Sequence, residues 1–192
     1  MSKREGEAMG RREDLADAAV RLVARGGSRS LTHRGVDAEA GLPSGSTTYY
    51  ASTRRALLAL VTARITEQLA SDVARLRLPE DPDDAAVAAV ATGFLDALAA
   101  RGDAQAARLA LLVELRDDTE LRAPLTGSDP VRDELVRAAR TLLDGIGVDG
   151  PDAAARDLVG VVDALLLYRV GAVGPVDPAA VLTAYVAGLP RR

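Results

Sequence analysis

Apolar residues recur at helical spacing along almost the whole chain. Leu15, Ala18, Ala19, Leu22 and Val23 fall at i, i+3, i+4, i+7 and i+8, which is one face of a helix. Gly26-Gly27 closes that helix, because glycine takes the left-handed conformation after a last turn without steric penalty. Residues 1–10, polar and with two glycines, are expected to be disordered. A short second helix follows, with Thr32 as its N-cap and Val36 and Ala40 turned inward, until Gly41-Leu42-Pro43 breaks it. A third, short helix is expected from about Ser44 to Tyr50. Ser52 or Thr53 then caps a long fourth helix that buries Leu58, Val61, Ile65, Leu69, Val73 and Leu76. Two prolines in the acidic run Leu78–Asp84 mark the clearest boundary. Beyond it the pattern predicts helices at roughly 83–101, 104–121, 129–146, 152–172 and 178–188. They are separated by Arg101-Gly102, Pro124 to Pro130, Gly145 to Pro151 and Gly174 to Pro178. The expectation is an all-α chain of about nine helices. Its parts are a three-helix domain over 11–52, a connecting helix over 53–78 and a helical domain over 79–192.

Composition supports the helices and removes several chemistries. The 192 residues are 48% hydrophobic yet include one Phe, four Tyr and no Trp, so the core must be Leu, Val and Ala. Alanine is the best helix former, whereas β-sandwiches and barrels draw on β-branched and aromatic pairs. The absence of Cys excludes disulfides, thiolate metal sites and a cysteine nucleophile. His33 is the single histidine, so no multi-histidine metal site exists. No nucleophile, base and metal constellation emerges, and neither an enzyme nor a cofactor is expected. The uncharged apolar run Ala85–Leu95 falls well short of the ~18 residues that span a bilayer. The charged start, Met1 to Glu5, lacks the apolar segment of a signal peptide. A cytoplasmic protein without a membrane partner is expected.

The formal net charge of −4 hides an asymmetry. Residues 1–64 carry eleven Lys/Arg against seven Asp/Glu, a net of +4, and residues 65–192 carry thirteen against twenty-one, a net of −8. A basic head on an acidic body suggests that one end meets a polyanion. A solvated, Arg-rich helical surface is the plainer alternative.

The segment Leu31–Leu58 combines a helix, a glycine-containing turn, a second short helix and a long helix. That is helix-turn-helix geometry, in which the second helix enters the DNA major groove. The short helix and its start carry Ser44, Gly45, Ser46, Thr47, Thr48, Tyr49 and Tyr50. These residues make poor use of a core, but their hydroxyls suit phosphate oxygens and base edges. The tyrosine rings also suit sugars or a thymine methyl. Arg54 and Arg55 stand in the first turn of the fourth helix, where the macrodipole disfavours cations. A phosphate docked there would meet free backbone N–H groups and both guanidiniums; two tolerated surface arginines are the alternative. His33, at the start of the second helix, either meets a phosphate or lies on the surface.

This segment resembles the DNA-binding domain of the TetR family of bacterial transcriptional regulators. The resemblance is carried by Leu31-Thr32, Arg34, Ala40-Gly41-Leu42, Gly45, Tyr49-Tyr50, Thr53-Arg54 and Ala56-Leu57-Leu58, and it covers about residues 11–65. It implies that the third helix reads the major groove, with Thr32, His33 and Arg34 beside it. The fourth helix would link to a domain for ligand binding and dimerisation. The implied function is a one-component regulator, a repressor, that binds a pseudo-palindromic operator as a homodimer and is released by a small molecule. The alternative is a helical ligand-binding or interaction module without DNA binding. One departure stands out: the family's aromatic after the Tyr-Tyr pair is Ala51 here. Unless Tyr50 turns inward, the missing ring would cost about 3 kcal/mol of packing. Gly35 in the second helix costs about 1 kcal/mol more relative to Ala.

The remaining candidates lie further along the chain. Gly145–Gly150 spells G-x-G-x-x-G, but it follows an amphipathic helix and runs into Pro151, so it is expected to be a loop. Polar residues within apolar stretches, namely Arg108, Glu114, Arg116, Asp163 and Tyr168, are candidate ligand contacts, together with Phe94, Leu98 and Leu112. Each is equally a solvated or interfacial residue. Leu158, Val162, Leu165 and Leu166 belong to a helix that is apolar nearly all round, which implies burial on more than one side. With Val181 and Tyr185 they are the candidate dimer contacts; burial within one chain is the alternative.

Overall fold

The computed structural model describes residues 3–126 and 130–192, with side chains from Met9 onward. Among these residues there are ten α-helical segments and no sheet. They are α1 (Lys3–Gly26), α2 (His33–Glu39), α3 (Ser46–Tyr50), α4 (Arg54–Ala74) and α5 (Asp84–Ala99). Then come α6 (Gly102–Glu114), α7 (Thr119–Arg122), α8 (Pro130–Gly145), α9 (Pro151–Val170) and α10 (Pro178–Ala187). The all-α expectation holds. Prolines occupy the first position of α8, α9 and α10, where the missing N–H would have no intrahelical partner anyway. Asp83 and Asp177 cap α5 and α10 by accepting from backbone N–H groups one turn in.

Three boundaries differ from the pattern read in the sequence. Residues 3–10, expected to be disordered, are helical; Met1 and Ser2 lie outside the described residues. Lys, Arg, Glu and Ala are good helix formers, and extending an existing helix adds a bond for each residue fixed. The helix expected over 104–121 is broken after Glu114, because Asp118 accepts from the Leu121 N–H and starts α7 as a separate turn. The third helix begins at Ser46, two residues late, because Gly45 before it is left-handed at φ 96°. Part of the connection expected over Pro124–Pro130 lies outside the described residues.

The chain divides into two compact units, neither of which is continuous in sequence. The first takes the residues up to Gln68 and returns for Asp103 onward, through α6 and α7. The second holds Leu69–Gly102 and the C-terminal helices. The division thus falls inside α4 and after α5, rather than at the acidic run Leu78–Asp84.

In the first unit, one core collects Leu15, Ala19 and Val23 of α1, Val36 of α2, Leu57 and Val61 of α4 and Leu111 of α6. Arg64 on α4 reaches Asp17 on α1 through Nε and a terminal nitrogen at 2.7 and 2.9 Å. That carboxylate also accepts from Gln68 at 3.1 Å. Such a bidentate, partly buried pair fixes one helix against another more firmly than a lone surface ion pair.

In the second unit α5, α8, α9 and α10 enclose Val87, Leu95, Leu143, Ala155, Leu166 and Leu182. Gly147 and Gly150 between α8 and α9 are both left-handed, so the G-x-G-x-x-G run is a turn between two helices. The chain end is pinned beside that turn, where Asp149 N–H donates to Pro190 and Arg192 N–H donates to Gly147. No single described helix is long and apolar enough to cross a membrane. Leu182 is fully buried on α10. Leu182→Ala is expected to cost about 3 kcal/mol, read as a lower midpoint in urea unfolding of the second unit's helices.

Candidate nucleic-acid interface

The α2–turn–α3 segment is built around one carboxylate. Thr32 caps α2, its hydroxyl accepting from the Gly35 N–H at 3.1 Å. Gly41, left-handed at φ 66°, ends that helix and turns the chain toward α3. Asp37, only 3% exposed, points from α2 at the beginning of α3. It accepts from the Gly45 N–H at 2.7 Å, from the Thr47 N–H at 2.7 Å and from the Thr47 hydroxyl at 2.5 Å. Burial pushes its pKa up, but the bonds from Thr47 and Gly45 outweigh burial and hold the carboxyl below its ordinary range. At the other end of α3, His33 Nε2 lies 2.7 Å from the Ala51 carbonyl oxygen. A five-residue helix has almost no stability of its own. Here α2 holds both its ends.

This geometry sorts the residues singled out in the sequence. Thr47 is fully buried and spends its hydroxyl on Asp37, so it supports α3 from beneath and is not a surface contact. The Ser46 hydroxyl donates to the Pro43 carbonyl at 2.6 Å. Ser44, Gly45 and Thr48 are exposed, and Tyr49 is 86% exposed. Tyr50 is half-buried against the first unit's core, and its ring meets that of Tyr49 edge-to-face at 5.0 Å. Of the two outcomes the missing aromatic allowed, the inward Tyr50 is the one found. Ala51 is itself buried, at 2% exposure.

The arginines also separate into two kinds. Arg54 donates to the Leu31 carbonyl at 3.1 Å and to the Ser28 carbonyl at 2.8 Å, tying α4 to the turn after α1. Arg55 pairs with Asp118 and, at 2.6 Å, with Glu120. Both cations at the positive end of α4 thus satisfy acceptors of the protein itself, which accounts for their unfavourable position on the macrodipole. The phosphate role read for them in the sequence meets guanidiniums already engaged. Sequence reasoning missed Arg29, in the 3-10 turn Ser28–Ser30; no periodicity singles out a residue in so short a turn. Arg29 and Arg34 form no ion pair among the described residues, and Arg34 is exposed on α2. Glu39, the other acid of α2, is taken up by Arg25 and by Arg21 at 2.8 Å.

The ligand candidates are divided between the two units. Phe94 and Leu98 are core residues of the second unit. Asp163 in that unit pairs with Arg132, and Tyr168 stands on the surface. In the first unit Arg108 is buried on α6 and Leu112 is half-buried against the core. Glu114 accepts from the Ser28 N–H at 3.0 Å, and Arg116 lies beside Asp117 on the surface. Gly27 beside that carboxylate has φ 64°, a conformation that glycine takes without strain. Glu114 is therefore a cap for the headpiece turn. The dimer candidates also fall into two kinds. Leu158, Val162, Leu165 and Leu166 are buried within the single chain, because α5, α8 and α10 cover that side of α9. Tyr185 is half-buried, its hydroxyl donating to Ala154, and Val181 is exposed. Among the described residues no three potential metal ligands converge.

Residues 81–192, more than half of the chain, match the family described as tetracyclin repressor-like, C-terminal domain. The chain belongs to the TetR family of transcriptional regulators. No curated protein matches its sequence. Among solved structures, a TetR-family member from Streptomyces coelicolor A3 is 29% identical with a TM-score of 0.65, over 91% of this chain and 97% of that one. The multidrug binding protein EbrR, in complex with imidazole, is 28% identical with a TM-score of 0.64, over 95% and 96% of the two chains. A transcriptional regulator from Rhodococcus sp. RHA1 shares the fold at 22% identity, with a TM-score of 0.74 over 92% and 94%. As in those structures, the TetR-family fold here extends over nearly the whole chain.

Two measurements check the site. Tyr50→Ala is expected to cost about 2 kcal/mol of stability, the lost packing of a half-buried ring, and Tyr49→Ala under about 0.5 kcal/mol. Equal thermal shifts for the two variants would contradict the assigned orientations. Asp37→Asn puts an amide donor against backbone donors and is expected to cost about 2 kcal/mol. Because the folded-state pKa of Asp37 is lowered, its stabilisation is whole above its unfolded pKa of about 3.9 and is lost as pH falls through the folded value. Asp37→Asn should therefore flatten the acid limb of the stability curve and leave its alkaline side unchanged in shape.

Proposed function

We propose that this TetR-family protein is a one-component transcriptional repressor of the cytoplasm. In this reading it binds double-stranded operator DNA as a homodimer and is released by a small-molecule effector. The observations that carry the reading are the exposed outer side of α3, presented by a fixed support on α2, and, in the same unit, the exposed Arg29 and Arg34, which form no ion pair among the described residues. Guanidiniums that spend nothing on the protein are free to neutralise phosphates. Thr32, His33 and Arg34 start α2, where backbone N–H groups suit the same partner.

The outer side of α9 supports the dimer. Gly160, Ala164, Leu167 and Tyr168 share one stripe there, and Leu167 and Tyr168 are 45% and 42% exposed. A Cβ at Gly160 would meet nothing within 4 Å. Together with the exposed Val181 on α10, this small and apolar surface suits a self-complementary twofold contact. A pseudo-palindromic operator would offer such a homodimer two half-sites about 34 Å apart, one for each α3. Support for a small-molecule effector comes from EbrR, a multidrug binding protein seen with imidazole and with proflavin. We assign no catalytic role to any residue. The engagement of Arg54 and Arg55 favours the second reading, an interaction module without DNA binding.

Binding to the DNA upstream of its own gene, titrated against salt, separates the two readings. Arg34→Ala should weaken binding and reduce the slope of log K against log salt by about 1. The absence of any salt-sensitive preference for a duplex would leave the second reading standing. Ala164→Arg should convert dimer to monomer in sedimentation velocity and weaken operator binding along with it.

A further inference from the structure

From Gly35 to Thr53 the chain contains no Lys, Arg, His, Asn or Gln. Arg and Lys are the side chains that grip guanine through O6 and N7, and Asn and Gln those that grip adenine through N6 and N7. The turn and α3 therefore hold none of the usual bidentate readers of a purine edge. The acids of this stretch suit cytosine N4 in principle, but neither is available. Asp37 is filled by Gly45 and Thr47, and Glu39 by Arg21 and Arg25.

The hydroxyls of α3 thin out in the same way. Thr47 is buried on Asp37, Ser46 donates to Pro43 and Tyr50 packs on the core. Thr48 and Tyr49 remain exposed on α3: a γ-methyl with a hydroxyl, and an aromatic ring. The edge-to-face contact with Tyr50, with planes at 83°, braces the Tyr49 ring although it is almost entirely in solvent. In the major groove the feature that such groups recognise is the C5-methyl of thymine.

We propose that discrimination beneath α3 is carried by contacts of Thr48 and Tyr49 with thymine methyls. Each half-site is then read there at thymine-bearing steps and not through a guanine clamp. The inference rests on the DNA-binding reading above and adds which base feature is read, and by which side chains.

The test begins with operator duplexes selected by the full-length protein from a random library. Each thymine of a half-site is then replaced singly by deoxyuridine, which removes only the methyl, and affinity is measured by fluorescence anisotropy at fixed salt. One or two positions per half-site should lose about 4-fold, the worth of one buried methyl. Tyr49→Phe should keep that sensitivity. Tyr49→Ala should bind the thymine and deoxyuridine duplexes equally at its position, and Thr48→Ser should do so at the other. Unchanged thermal unfolding of these surface variants verifies their fold. Selective binding that is indifferent to every deoxyuridine substitution overturns this inference alone, as does loss of affinity in Tyr49→Phe equal to that in Tyr49→Ala. Absence of any selective duplex binding overturns both the inference and the reading beneath it.

Discussion

Everything presented on the outer side of α3 depends on the acceptors that Asp37 supplies. A helix of five residues leaves nearly all of its N–H groups without intrahelical partners, and its nucleation is unfavourable in isolation. The Asp37 carboxylate answers two backbone donors and one hydroxyl at the beginning of α3, and His33 meets the carbonyl at its end. A buried carboxylate would be costly if those bonds were absent, so position and ionisation reinforce each other. Both supporting residues sit on α2. The orientation of α3 is therefore inherited from α2, which is itself held by Val36 in the core and by Glu39 on the arginines of α1.

The arginines follow a similar logic of commitment. Arg54 fastens the beginning of α4 to carbonyls of the turn after α1, while Arg55 fastens it to the acids of α7. Glu114 caps the same turn from α6. The first unit is thus stitched at its polar edge by groups that the sequence offers as ligands for something else. The net charge of +4 over residues 1–64 overstates what is available to a polyanion, because Arg55 is neutralised by Asp118 and Glu120 and Arg54 is spent on backbone carbonyls. What counts for a partner is the charge left unpaired, and Arg29 and Arg34 are part of that remainder.

The fold was legible in the sequence wherever periodicity was strong. The inward stripe of α4, the Thr32 cap and the prolines that open α8, α9 and α10 are all signals within a turn or two of where they act. The site was half legible for the opposite reason. Hydroxyl-rich composition located α3, but composition cannot tell Thr47, buried on Asp37, from Thr48, open to solvent. That distinction is set by a residue ten positions away. Nor could it reveal that Arg55 meets Asp118, sixty-three residues distant. On α9, apolar residues around most of the circumference signalled two buried sides without saying which side the chain itself covers. Leu158, Val162, Leu165 and Leu166 face inward, and the smaller Gly160 and Ala164 face out.

Ala51 stands where the resemblance to the TetR family leads to the expectation of an aromatic. A core that loses a ring must collapse, fill from neighbours or tolerate a gap costing several kcal/mol. Here Ala51 remains buried, the adjacent Tyr50 packs against the same core, and Leu111 of α6, Leu115 just after it and Leu121 of α7 add to it. Drawing Tyr50 inward has a consequence at the surface. It removes one of two adjacent rings from the exposed face of α3 and turns its edge into a brace for the other. With Tyr50 on the core, Tyr49 supplies the aromatic content of the exposed face. Packing beneath α3 and chemistry on its outer side thus meet at two adjacent rings, one on the core and one in solvent.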